Sequence, residues 1–97
     1  MTNREVVKAW KNYDSGNAGP LHTNGNLLYS YGLEIGYKGN AGELFVIDYT
    51  ARRGVDEFNV AGYGRFTRTQ TASHHVYLAI QVADFIVNPV THQVRRS

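Results

Sequence analysis

The chain contains no cysteine, only two prolines, one methionine and one tryptophan, and no long uninterrupted apolar run. Each shortage excludes something. Without thiols there is neither a disulfide framework nor a thiolate zinc site, so the usual staples of small secreted domains are missing and a reducing compartment fits best. The longest apolar-rich stretch, 77–87, is interrupted by Gln81 and Asp84 and falls short of the roughly 20 residues that a spanning helix needs. No membrane partner is expected. Arg4 and Lys8 are followed by no apolar segment, so no signal peptide is read there and a cytoplasmic location is the default expectation.

Charge of one sign is also scarce. Ten Lys and Arg against eight Asp and Glu give +2, which is no nucleic-acid signature by itself. Placement says more: Arg4, Lys8 and Lys11 lie together at the start, and Arg52, Arg53, Arg65, Arg68, Arg95 and Arg96 crowd the second half. What is plentiful is ordinary globular material, 42% hydrophobic and 19% charged, so the chain is expected to fold. Its 97 residues suit one domain, 1–97, with a single core.

Thr2-Asn3-Arg4-Glu5 is a capping box that predicts a helix start. Val6, Trp10 and Tyr13 then fall at helical spacing on one core stripe. The stretch 14–26, opening with Asp14-Ser15-Gly16-Asn17 and holding three glycines, Pro20 and three asparagines, reads as a long loop. Over Leu27 to Lys38, alternation puts Leu27, Tyr29, Tyr31, Leu33, Ile35 and Tyr37 on one strand face and Leu28, Ser30, Gly32, Glu34, Gly36 and Lys38 on the other. A turn at 39–42 leads to a second strand, 44–50, with Phe45, Ile47 and Tyr49 inward and Val46, Asp48 and Thr50 outward. A third strand is expected over 58–69, broken or bulged at Gly62-Tyr63-Gly64. Ser73 or Thr71 would cap a second helix that ends by Asn88, before Pro89. The ordered core is then about residues 3–88, and the tail 91–97 reads as loose.

The expected fold is α+β, in the order α-β-β-β-α: a short N-terminal helix, a three-stranded antiparallel sheet, and a C-terminal helix packed on one sheet face. That order coincides with the double-stranded-RNA-binding domain, but the lysine cluster of that module is missing where this second helix starts at Ser73-His74-His75.

Several short pieces taken together resemble a family of small phage and mobile-element proteins, a domain of unknown function. They are Trp10, Thr23-Asn24-Gly25, Leu28-Tyr29-Ser30-Tyr31, Ile35-Gly36, Asp48-Tyr49-Thr50-Ala51, 71–79 and Ala83-Asp84. The family's paired threonines before the serine are here Thr71 and Ala72, so a role for the second hydroxyl does not carry over. The resemblance implies a phage or mobile-element source, a host-cell cytoplasmic location and a shared fold, and it brings no activity.

For chemistry, the strand-to-helix junction draws the eye. Unpaired N–H groups at a helix start, with Arg65, Arg68, Thr69, Thr71, Ser73, His74 and His75 around them and Arg52 and Arg53 nearby, would attract a phosphate. The bland reading is a plain cap with solvated arginines. His74 and His75, adjacent on a helix, point about 100° apart and make a poor metal pair, so no metal or other cofactor is expected, and His75 is read as bonding inward. Seven tyrosines and four phenylalanines raise a base-stacking platform, against a core role for Tyr29, Tyr31 and Tyr37. Neither a phosphate loop nor a nucleophile elbow occurs. Three functions remain open: a non-enzymatic binder of nucleic acid or nucleoprotein, a protein-binding inhibitor of a host defence system or regulator, and, more remotely, a small ribonuclease using His74 or His75, Tyr49 and an arginine.

Overall fold

The structure is a computed structural model that describes residues 1–50, 57–60, 64–67 and 70–97, with side chains for 1–50 and 74–97. Helix α1 spans Asn3–Lys11 and begins as the sequence implies: the Thr2 hydroxyl accepts from Glu5 N–H while the Glu5 carboxylate accepts from Thr2 N–H. Those two bonds hold the Glu5 carboxyl below its ordinary range. Val6 and Trp10 are fully buried, but Tyr13, placed on the same stripe by spacing, lies past the helix end at φ 63° and is exposed.

Among the described residues nine short strands follow: β1 (Gly16–Ala18), β2 (Leu21–Thr23), β3 (Leu28–Ser30), β4 (Leu33–Lys38), β5 (Leu44–Ile47), β6 (Glu57–Val60), β7 (Gly64–Thr67), then α2 (Gln70–Ile80), β8 (Phe85–Val87) and β9 (Val94–Arg96). Among the described residues they form a seven-stranded mixed sheet in the order β1-β2-β3-β4-β5-β8-β9 and a separate β6-β7 ribbon. The expected three-stranded antiparallel sheet is thus incorrect, although the fold is α+β.

Three physical causes account for the difference. First, the stretch read as a loop is a hairpin, β1 turning into β2 at Gly19 (φ 79°) and Pro20. Its turn residues disguised strands only three residues long. Second, the long alternating strand is folded back at Tyr31-Gly32, where both residues have positive φ (52° and 80°), the geometry a two-residue hairpin needs. Third, α2 stops at Ile80, and Phe85-Ile86-Val87 crosses back as a strand parallel to β5. Parallel pairing joins segments remote in sequence, so no local pattern announces it. The tail expected to be loose supplies β9, paired antiparallel to β8.

A one-residue bulge also inverts the faces. Leu28 pairs with Gly36 and Tyr29 with Glu34, so Ile35 is the extra residue, and Ile35 and Gly36 are both buried. Beyond the bulge the alternation switches sides. The face packed on α1 and α2 therefore carries Leu21, Leu28, Leu33, Ile35, Leu44 and Val46, meeting Val6, Val7, Trp10, Val76, Leu78 and Ala79. Tyr29 and Tyr37, expected inward, stand half-exposed on the other face with Phe45, Ile47 and Phe85. On β5 the expectation is reversed, since Val46 is fully buried and Phe45 and Ile47 are not; just past the strand Tyr49 is buried as expected, and Asp48, expected outward, is buried with it.

Trp10 is the hinge of this packing. Its ring lies on Gly36, where an added Cβ would come within 2.8 Å of the indole, and its Nε1–H donates to Asn26 O at 2.9 Å. Replacing Trp10 with Ala is expected to cost about 3–5 kcal/mol in urea unfolding, and Gly36→Ala about 1–3 kcal/mol by overpacking. A Gly36→Ala protein as stable as the parent would show that the indole is not held there.

Candidate nucleic-acid interface

Of the residues gathered at the expected junction, Arg52, Arg53, Arg68 and Thr69 lie outside the described residues. Arg65 falls in β7, opposite Asn59, and Thr71 and Ser73 fall in the first turns of α2. The helix begins at Gln70, ahead of both expected caps. His74 is exposed, whereas His75 points into the molecule and is 1% exposed. The divergence expected of adjacent helical histidines is therefore observed, and among the described residues no group of three or more His, Cys, Asp or Glu could hold a metal ion.

His75 Nδ1 is hydrogen-bonded to Ser30 Oγ at 2.7 Å, and Ser30 is itself fully buried. Tyr31, held at positive φ on the β3–β4 turn, stacks against the imidazole with centroids 5.9 Å apart. Burial, helped by the neighbouring His74, lowers the His75 pKa below its ordinary value. A Ser–His bond can activate a nucleophile, but substrate has no access to a serine and a histidine sealed in the core. Asp48 is engaged by its own turn: its Oδ1 accepts from both the N–H and the hydroxyl of Thr50. The pair Ser30–His75 joins sheet to helix.

The aromatic row is equally structural in its geometry. Tyr37, Phe45 and Phe85 lie in register on β4, β5 and β8, with centroids 5.0 Å apart at each step and interplanar angles of 4° and 22°. Arg96 lies 5.9 Å over the outer face of Phe85. Rings this close cover one another, and a base cannot enter between them. They act as cross-strand pairs that stiffen the sheet. His22 and Tyr29 make a similar pair, 5.1 Å apart, between β2 and β3.

Two concave sites among the described residues offer other chemistry. The larger is a groove of about 360 Å³ between α1 and the end of α2, lined by Arg4, Val7, Lys8, Lys11, Asn12, Leu78, Gln81 and Val82. Arg4, Lys8 and Lys11 stand at i, i+4 and i+7, so one face of α1 projects all three along the groove. No carboxylate lines it. Lys8 and Lys11 also suit the negative end of the α1 dipole, which favours cations in the last turn whatever the function. The smaller site, about 170 Å³, sits at the carboxyl ends of the parallel strands β5 and β8 and is lined by Asp48, Ile86, Asn88, Gln93, Val94 and Arg95.

Sequence reasoning noted the three N-terminal cations but did not use them, although their spacing was the available signal. Nothing local could have brought Asp48, Asn88 and Arg95 together, since only the β5–β8 and β8–β9 pairings do so.

Comparison with family models, with curated proteins and with solved structures finds no match to this chain. No helix among the described residues is long and apolar enough to cross a membrane.

The buried pair makes a stability prediction. Burial disfavours the imidazolium, so the folded state takes up the proton at lower pH than the unfolded one; in the window between, unfolding binds a proton and stability falls as pH falls. Urea midpoints should therefore hold near pH 7.5 and drop as pH is lowered through about 6.5, the unfolded value. Ser30→Ala, which strips His75 Nδ1 of its partner, should cost about 1–3 kcal/mol at neutral pH. A Ser30→Ala protein with unchanged midpoints would mean that the bond contributes nothing.

Proposed function

We propose that this is a non-enzymatic binding protein that holds a nucleic acid by its phosphate backbone, through the cationic groove on its helical layer. The observation that carries the reading is the row Arg4, Lys8, Lys11 along a groove whose lining includes no carboxylate. Cations spaced along one helix suit the evenly spaced phosphates of a strand, and each phosphate neutralised releases condensed counterions. Arg95 and Arg96, exposed on the edge strand β9, add positive charge at a second place. The arginines of the expected strand-to-helix junction belong to the same reading, as further phosphate contacts.

The groove's apolar floor of Val7, Leu78 and Val82 favours one second reading, in which an acidic amphipathic segment of a host protein seats there and the chain acts as an inhibitor of a host defence system or regulator.

A salt titration separates the two. Fluorescence-polarisation binding to fluorescent oligonucleotides should weaken linearly in log–log form with added salt. The triple substitution Arg4→Ala, Lys8→Ala and Lys11→Ala should flatten that slope by about 2 for a single strand. Binding that ignores salt, or a triple variant that binds as tightly as the parent, overturns the nucleic-acid reading. A stoichiometric acidic protein recovered from host lysate by the parent and lost by the triple variant would then favour the inhibitor.

A further inference from the structure

The small site at the ends of β5 and β8 has a composition unlike the groove. We infer that it is a pocket for a single guanine base. The inference rests on the nucleic-acid reading, and names what the strand presents at a second place on the surface.

The argument begins with position. In open sheets that contain parallel strands, ligands lodge outside the carboxyl ends of those strands, and β5 and β8 are the parallel pair here. Asp48 follows β5 directly and its N–H donates to Val87 O, extending the pairing. Asn88 follows β8, with its Oδ1 accepting from Val90 and Thr91 N–H, which shapes the turn toward Gln93 and β9. Arg95 pairs with Ile86 across β8–β9, and Ile86 pairs with Val46. That register puts Asp48, Ile86 and Arg95 on the side of the sheet where Val46 meets the helices.

Chemistry narrows the occupant. Asp48 is 7% exposed, and both bonds made by Thr50 fall on Oδ1 rather than Oδ2. That leaves Oδ2, with two lone pairs, to accept from a ligand's donors, and Arg95 on β9, across β8, offers a planar donor fork. Guanine carries the complement of both: the N1–H and N2 amino donors on one edge, and the O6 and N7 acceptors that arginine grips bidentately on the other. The three remaining bases do not pair those two sets. Ile86 and Val94 supply apolar walls for a flat ring, and Asn88 and Gln93 supply amides at the rim. The volume, about 170 Å³, lies below the roughly 300 Å³ at which pockets for larger organic ligands begin, so it admits one base rather than a dinucleotide. Guanine can offer its N1 and N2 donors only when unpaired, so the strand bound is single.

The test uses the full chain and guanosine 5′-monophosphate as probe, with the adenosine, cytidine and uridine monophosphates as controls, followed by amide chemical-shift titration. The expected result is saturable shifts at Asp48, Asn88 and Arg95 with guanosine monophosphate and an affinity at least about tenfold above the other three. A second arm compares uridine and thymidine oligomers with and without one central guanine, which distinguishes RNA from DNA as the source of the base. Asp48→Asn and, as a variant on the exposed edge strand that leaves the core untouched, Arg95→Ala should each reduce the guanine preference below about threefold, and Asp48→Asn should do so with the salt slope of oligomer binding as in the parent. Equal affinity for all four monophosphates, shifts elsewhere, or a preference that survives Arg95→Ala overturns the inference. Salt-dependent oligomer binding without a guanine preference sinks the pocket and leaves the proposed function standing, whereas guanosine monophosphate binding without any oligomer binding does the reverse.

Discussion

Everything in this molecule hangs on the seating of one indole. Trp10 is fully buried, and its ring fits only because residue 36 has no side chain. Gly36 can lie beneath it only because the extra residue in β4 turns Ile35 and Gly36 inward together. The same helix residue offers its backbone: the Lys38 ammonium donates to Trp10 O and to Gly25 O, at 2.6 Å for the latter. It sits 3.3 Å from the centroid of the Tyr13 ring. One cation thus closes the end of α1, pins the β2–β3 loop and holds the aromatic ring that follows the helix. Desolvation there lowers the Lys38 pKa, yet two carbonyls and a ring face replace much of the lost water. The bulge, the glycine and the lysine make one unit, and the helix could not lie on this sheet without it.

Several of the short pieces singled out in the sequence mark the same kind of joint. Thr23 donates its hydroxyl to Leu27 O and accepts from Gly25 N–H, and Asn24 Oδ1 accepts from Asn26 and Leu27 N–H. Gly25, at φ 97°, passes so close to Tyr13 O that a Cβ there would lie 2.8 Å from it. Ser30 meets His75, and Asp84 accepts from Leu44 N–H at 2.9 Å. A pattern of this sort specifies how the chain packs and says little about what it does.

Legibility from sequence follows the range of the interactions. The capping box at Thr2 and Glu5, the burial of Trp10 and the inward turn of His75 are local or nearly so, and each was readable. The face of the sheet was not. Counting aromatic residues favoured Tyr29, Tyr37 and Phe45 as core, but flat rings in register can cover one another at the surface, while the smaller aliphatic set closes against two helices. A bulge of one residue reverses the assignment, and nothing in an alternating pattern reports it. Strands of three residues punctuated by Gly, Pro and Asn look like loops for the same reason: turn chemistry dominates the window.

These ranges bear on the function. Affinity from a phosphate row needs only charge in register along a helix, which the spacing of Arg4, Lys8 and Lys11 gives directly. Such contacts position a strand without reading it. Reading requires a carboxylate and a guanidinium on opposite walls of a pocket, and here Asp48 and Arg95 come from strands that are brought together only through β8. A chain of modest net charge can therefore bind selectively if it concentrates its cations in one groove and assigns discrimination to one small pocket. The buried Ser30–His75 pair lines neither site; it ties α2 to the sheet, and on the proposed reading it stiffens the platform between them, which binding needs more than it needs a nucleophile.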